Sequence, residues 1–137
     1  GPRGFLAVSA PYAVDLVFRG RTLVQGQSQF RVSLPAGKQA VTLVSTRLFL
    51  HRTASVEVPP DGTAQLSAPG AGRLNIRASP DNCQVFVNGG FVDYPPILDR
   101  PAAAGRVTVT FKWPDGARSD EQVDLAPGGV AYVMGRR

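Results

Sequence analysis

Five short patterns in the first half of the chain recur, in the same order, 66–69 residues further on. Gly4-Phe5-Leu6-Ala7-Val8 returns as Gly72-Arg73-Leu74-Asn75-Ile76, and Pro11 to Gly20 (PYAVDLVFRG) returns as Pro80 to Gly89 (PDNCQVFVNG). Ala36-Gly37 with Val41-Thr42 matches Ala104-Gly105 with Val107 to Thr110 after a one-residue adjustment past the glycine. Ser55 to Val58 with Asp61-Gly62 matches Gln122 to Leu125 with Gly128-Gly129. An ordered recurrence of this kind marks tandem copies of one structural unit. The first copy covers 4–68 and the second 72–135, with a junction at Ala68-Pro69-Gly70-Ala71. A module of about 68 residues buries little surface and is marginal alone, so the two are expected to pack as a stiff pair. Gly1-Pro2 matches what a rhinovirus-type protease leaves after tag removal, and residues 1–2 are read as such a scar on a piece of a longer protein.

Within each copy the apolar residues alternate. Leu6 and Val8, then Val14, Leu16 and Phe18, share one parity; so do Leu74, Ile76 and Ala78, and Val107, Val109, Phe111 and Trp113. Arg73, Asn75 and Arg77 fall on the opposite face of their strand. Period-two alternation, broken by Gly, Pro and Asp every 8–12 residues, predicts strands rather than helices. Pro114-Asp115-Gly116 and Asn88-Gly89-Gly90 read as turns. The expected fold is all-β: two tandem small β-sandwich modules with little or no helix.

Composition narrows the function classes. Gly and Pro together make up 27 of 137 residues, heavy for a globular chain but below the level of low-complexity sequence. One cysteine (Cys83) excludes an internal disulfide and a cysteine-built zinc site, and one histidine (His51) removes most histidine-based metal and triad chemistry. The net charge of +5 and pI near 10.1 suggest an anionic partner. Thirteen of the 15 cations are Arg, however, and they are scattered without a basic patch, so no nucleic-acid partner is expected.

The segment Ser79-Pro80-Asp81-Asn82-Cys83-Gln84-Val85-Phe86-Val87-Asn88-Gly89 resembles the signature of the PEGA domain, whose Pro-Glu-Gly-Ala tetrad here reads Pro80-Asp81-Asn82-Cys83. Tyr94-Pro95-Pro96 stands at the family's Thr-Pro step, and Ala104-Gly105 with Val107 to Phe111 supplies its later valine-rich strand. The first copy departs further: its tetrad reads Pro11-Tyr12-Ala13-Val14 and no Pro follows Gly26, although Leu34-Pro35-Ala36-Gly37 matches better. The resemblance implies small, non-catalytic β-sandwiches. Such modules occur in tandem on bacterial envelope proteins or beside membrane serine/threonine kinases, on the extracytoplasmic side.

No catalytic constellation emerges. His51 lies beside Arg52 with no nucleophile motif around it, and no Gly-x-Ser-x-Gly surrounds any serine. Cys83 shares the inward parity of Val85 and Val87, where a thiol behaves as a small hydrophobe. The acids Asp81, Asp93, Asp99, Asp115, Asp120, Glu121 and Asp124 lack a calcium-loop spacing, so neither a metal nor a cofactor is expected. The candidate ligand-contact residues are the aromatic Phe91, Tyr94 and Trp113 and the cationic Arg73 and Arg77. Trp113 is open to two readings, core by parity or stacking platform at a sheet edge. Tyr12 and Phe49 are weaker aromatic candidates, and Arg19 and Arg21 weaker cationic ones. The expected function is a binding or sensing module for cell-wall glycan or another envelope protein, and the resemblance implies that the parent chain can be membrane-anchored. The alternative is a structural spacer with no ligand.

Overall fold

A computed structural model describes residues 1–137. Its elements are all strands: β1 (Arg3–Phe18), β2 (Arg21–Pro35), β3 (Gly37–Ser45), β4 (Leu50–Val58), β5 (Thr63–Ser67), β6 (Ala71–Ser79), β7 (Gln84–Val87), β8 (Gly90–Asp93), β9 (Ile97–Ala103), β10 (Gly105–Lys112), β11 (Arg118–Leu125) and β12 (Val130–Arg136). No helix forms, as the alternating pattern predicts. The chain divides into two compact units, Gly1–Ser45 with Leu50–Pro69, and Thr46–Phe49 with Gly70–Arg137.

In the first unit, β1 is central. Its leading half pairs antiparallel with the end of β2, from Arg3↔Pro35 to Ser9↔Gln29, and parallel with β5, from Phe5↔Thr63 to Ser9↔Ser67. Its trailing half pairs with the start of β2 and with β3 (Leu16↔Leu43), and β3 pairs with β4. The ladder between β1 and β2 is irregular between Ser9 and Val14, a bulge of the kind that bends a strand. Leu6, Val8, Val14, Leu16, Leu34, Val41, Leu43, Val56 and Val58 are buried. Each such side chain contributes about 1.5–3 kcal/mol of apolar burial. Tyr12 joins this core, its hydroxyl donating to the Pro69 carbonyl at 2.6 Å, so it is not a surface platform.

The second unit repeats these pairings with shorter strands. β6 and β7 correspond to the two halves of β1, and β8 and β9 to the two halves of β2. β12 runs parallel to β6 as β5 does to β1; β10 joins β7, and β11 joins β10, as β3 and β4 join in the first unit. The interruptions fall at Pro80 and at Pro95-Pro96, residues with no N–H for a ladder. Two sheets result, β11-β10-β7-β8 and β12-β6-β9. Between them lie Leu74, Ile76, Cys83, Val85, Val87, Ile97, Val107, Val109, Phe111, Trp113, Leu125 and Val133. This is the β-sandwich class expected from the alternation.

The turns repeat too. Arg19-Gly20 and Asn88-Gly89 both take positive φ at both residues, the geometry of the tight hairpin turn that matches strand twist. The N–H of Phe5 donates to Gly62 O as that of Arg73 does to Gly129 O, and Gly62 N–H donates to Pro59 O as Gly129 N–H does to Ala126 O. One detail differs from the sequence reading. β3 and β10 begin at Gly37 and Gly105 and bury Val41 with Leu43 and Val109 with Phe111 at a constant offset, so no one-residue adjustment is needed there.

Candidate functional site

The outer face of β11-β10-β7-β8 in the second unit is built by the Asn88-Gly89 turn. Asn88 is held by three hydrogen bonds: its N–H donates to Thr108 O (2.8 Å), its Oδ1 accepts from Thr108 N–H (3.0 Å), and its Nδ2 donates to Phe49 O (3.0 Å). The turn fixes the β7–β8 register so that Phe86 and Phe91 stand directly opposite. Val85 and Val87 take the inward positions, leaving Phe86 outward between its two neighbours. The Phe86 and Phe91 rings meet edge to face at 5.6 Å, and Tyr94 meets Phe91 at 6.2 Å. Lys112 Nζ lies 4.5 Å from the Phe86 ring centroid. The three rings form a step on which Phe91 and Tyr94 are 52% and 53% exposed.

Beside this step is a groove of about 260 Å³ lined by Asn82, Gln84, Tyr94, Lys112, Trp113 and Pro114. Its lining can donate hydrogen bonds from Lys112 and from the amides of Asn82 and Gln84, next to a flat ring face. That combination suits a polyhydroxylated ring, with C–H faces against aromatics and hydroxyls against amides and an ammonium.

The structure separates the sequence-derived candidates. Phe91 and Tyr94 come together as described. Trp113 does not join them as a platform: it is 4% exposed, stacks on Phe111 with centroids 6.1 Å apart, and donates its indole N–H to Pro80 O at 2.9 Å. Its parity with Val109 and Phe111 decides its place: Trp113 belongs to the core and is not a stacking platform. Arg73 and Arg77 are exposed but on the other sheet, at the outward positions of β6. Phe86 was not singled out from sequence, although its outward parity beside Val85 and Val87 was legible there. Phe49 packs against the core of the second unit under the Arg100 guanidinium, 5.4 Å from the ring centroid.

Three of the carboxylates serve as turn and pair elements. Asp93 accepts the Tyr94 N–H, Asp115 accepts the Ala117 N–H and pairs with Arg137, and Asp124 lies near Arg106. Burial raises the Cys83 thiol above its ordinary range, with the Asp81 charge adding to the effect. His51 is exposed on β4, opposite Val44. No three His, Cys, Asp or Glu side chains converge in a way that could hold a metal ion. A scan against protein-family models finds no match for the chain, and a search of curated proteins finds none either.

Proposed function

We propose that the chain is a PEGA-like pair of modules that serves as a non-catalytic binding part of a bacterial envelope protein or membrane serine/threonine kinase, and that its second unit holds cell-wall glycan on the Phe86–Phe91–Tyr94 step. The carrying observation is the pair of half-exposed rings, Phe91 and Tyr94, fixed beside the groove lined by Asn82, Gln84 and Lys112. Large rings normally gain about 1.5–3 kcal/mol by burial, so two left half-open on a hydrogen-bonded hairpin suit a ligand that completes their burial. The recurrence of one strand-pairing scheme in both units supports the family likeness. An extracytoplasmic location follows from that likeness alone.

The test is a titration of soluble peptidoglycan fragments into the full chain, followed through Trp113 emission, since Trp113 is among the residues lining the groove. Saturable binding is expected, weakened about tenfold or more in Tyr94→Ala and in Phe91→Ala, the loss of one ring–ligand contact. If no fragment saturates, or if neither variant weakens binding, this reading fails and the spacer reading replaces it.

A further inference from the structure

On the second unit's other sheet, β12-β6-β9, the outward face is apolar where alternation should leave it polar. Ala131, Val133 and Gly135 of β12 already fill the inward positions, and Gly135 leaves room for the Phe111 ring. The outward positions nevertheless carry Val130, Tyr132 and Met134, at 50%, 79% and 40% exposure, and Leu98 of β9 adds 58%. The parallel register sets Val130 beside Arg73, Tyr132 beside Asn75 and Met134 beside Arg77. Between them runs a groove of about 190 Å³ lined by Asn75, Arg77, Leu98, Tyr132, Val133 and Met134.

The charge on this face has one sign. β6 and β12 carry no acid at all, and the only acid on the three strands is Asp99, at the irregular part of β9 where its N–H donates to Asn75 Oδ1. Neither Arg73 nor Arg77 has an ion-pair partner in the chain, whereas Arg106, Arg118 and Arg137 each have one. A row of unpaired guanidiniums along an apolar groove calls for carboxylates on either side of an apolar side chain.

Geometry sharpens this. Arg73 and Arg77 are four residues apart on one strand face, about 13 Å at the usual rise per residue. An extended peptide has the same rise and puts residues i, i+2 and i+4 on one side. Laid along β6, it would set carboxylates at i and i+4 over Arg73 and Arg77, with an apolar residue at i+2 over Asn75, in the groove. The exposed apolar lining by Leu98, Tyr132 and Met134 suits such a side chain.

We infer that the outer face of β12-β6-β9 docks an extended, acidic segment of a partner protein, with two carboxylates four residues apart flanking one large apolar residue. This surface is separate from the glycan step on the other sheet and does not depend on it.

The experiment records amide NMR spectra of the full chain with a synthetic peptide Gly-Glu-Ser-Leu-Ser-Glu-Gly, blocked at both ends. The peptide is expected to shift Arg73 to Arg77 and Tyr132 to Met134, and not Phe91 or Tyr94. Affinity should fall about tenfold or more in the double variant Arg73→Ala, Arg77→Ala and with added salt, and similarly in Met134→Ser. A peptide with its glutamates only two residues apart should bind more weakly. The inference is overturned if the peptide leaves these amides unmoved or if the arginine variant, folded by its spectrum, binds equally well. It is also overturned if the same amides respond only to phosphatidylglycerol vesicles or to increasing concentration of the chain itself.

Discussion

Gly72 shows how little room a side chain has where β6 passes the turn leading into β12. A Cβ at this position would lie 2.6 Å from Leu125 Cδ1 and 2.9 Å from the Ala126 carbonyl oxygen. The leucine tip can rotate, but the carbonyl belongs to the turn that receives the Gly129 N–H, so it cannot retreat without losing that bond. Gly4 meets Pro59 O and Val58 in the equivalent place of the first unit, which gives a steric reason for a glycine at this point in both copies. Gly72→Ala is therefore expected to cost about 1–3 kcal/mol of stability, the usual range for overpacking a closed site. Urea denaturation followed by Trp113 emission measures it in the same unit, and a variant as stable as the parent would show that the turn yields freely. Trp113 is a suitable reporter because its stacking on Phe111 and its bond to Pro80 O both require the folded sandwich.

Between elements, the clearest electrostatic link joins β10 to β11. Thr110 and Asp120 are cross-strand partners, and the threonine hydroxyl donates to the carboxylate at 2.6 Å, with Arg118 at 3.3 Å on its other side. The Thr110 bond first, then Arg118 and the more distant Lys112, hold the Asp120 carboxyl below its ordinary value. A carboxyl depressed in the folded state lends stability above its unfolded pKa of about 3.9, and that contribution is lost as pH falls through the folded value. In Thr110→Val, Asp120 should titrate at higher pH than in the parent, and the acid limb of the stability curve should flatten. A carboxyl-carbon NMR titration reads the first effect directly; an unchanged Asp120 would mean the cross-strand bond has no influence. The same strands show what was legible in the sequence. Alternation placed Val107, Val109 and Phe111 inward and gave Trp113 the same parity without deciding between core and platform, because a strand with one buried face repeats every two residues. It could not foretell that Phe86 and Phe91 would be opposite partners, since register depends on the turn, nor that Arg73 and Arg77 would lie on a different sheet from Phe91. In β12, the run Val130 to Met134 is apolar on both parities, and a strand apolar on both faces is the one signal from which the second exposed surface could have been read.

At the scale of the whole molecule, the two copies traced in the sequence share one pairing scheme, yet the compact units do not follow chain order throughout. The second unit consists of Gly70–Arg137 together with the four residues Thr46–Phe49. Within it, Ala103 N–H donates to Leu48 O at 2.9 Å, Asn88 Nδ2 donates to Phe49 O, and the Arg100 guanidinium covers the Phe49 ring. Leu48 is buried and Phe49 packs against the core residues. No periodicity could reveal this, because Leu48-Phe49-Leu50 reads as an ordinary apolar stretch of the first copy and the partners lie 39 or more residues away. The consequence is testable by cutting. A fragment of residues 70–137 keeps every strand of the second sandwich but loses at least two hydrogen bonds, a cation–ring contact and the burial of Leu48. At about 1 kcal/mol per hydrogen bond and about 2 kcal/mol for a buried leucine, the fragment should be about 3–5 kcal/mol less stable than the same residues in the intact chain. Trp113 emission reports the unfolding of both, and amide exchange at Ala103 and at the Asn88 side chain should accelerate in the fragment. Equal stability of fragment and intact chain would mean that Thr46–Phe49 merely lies on the second unit; a loss of the expected size makes those four residues part of its fold.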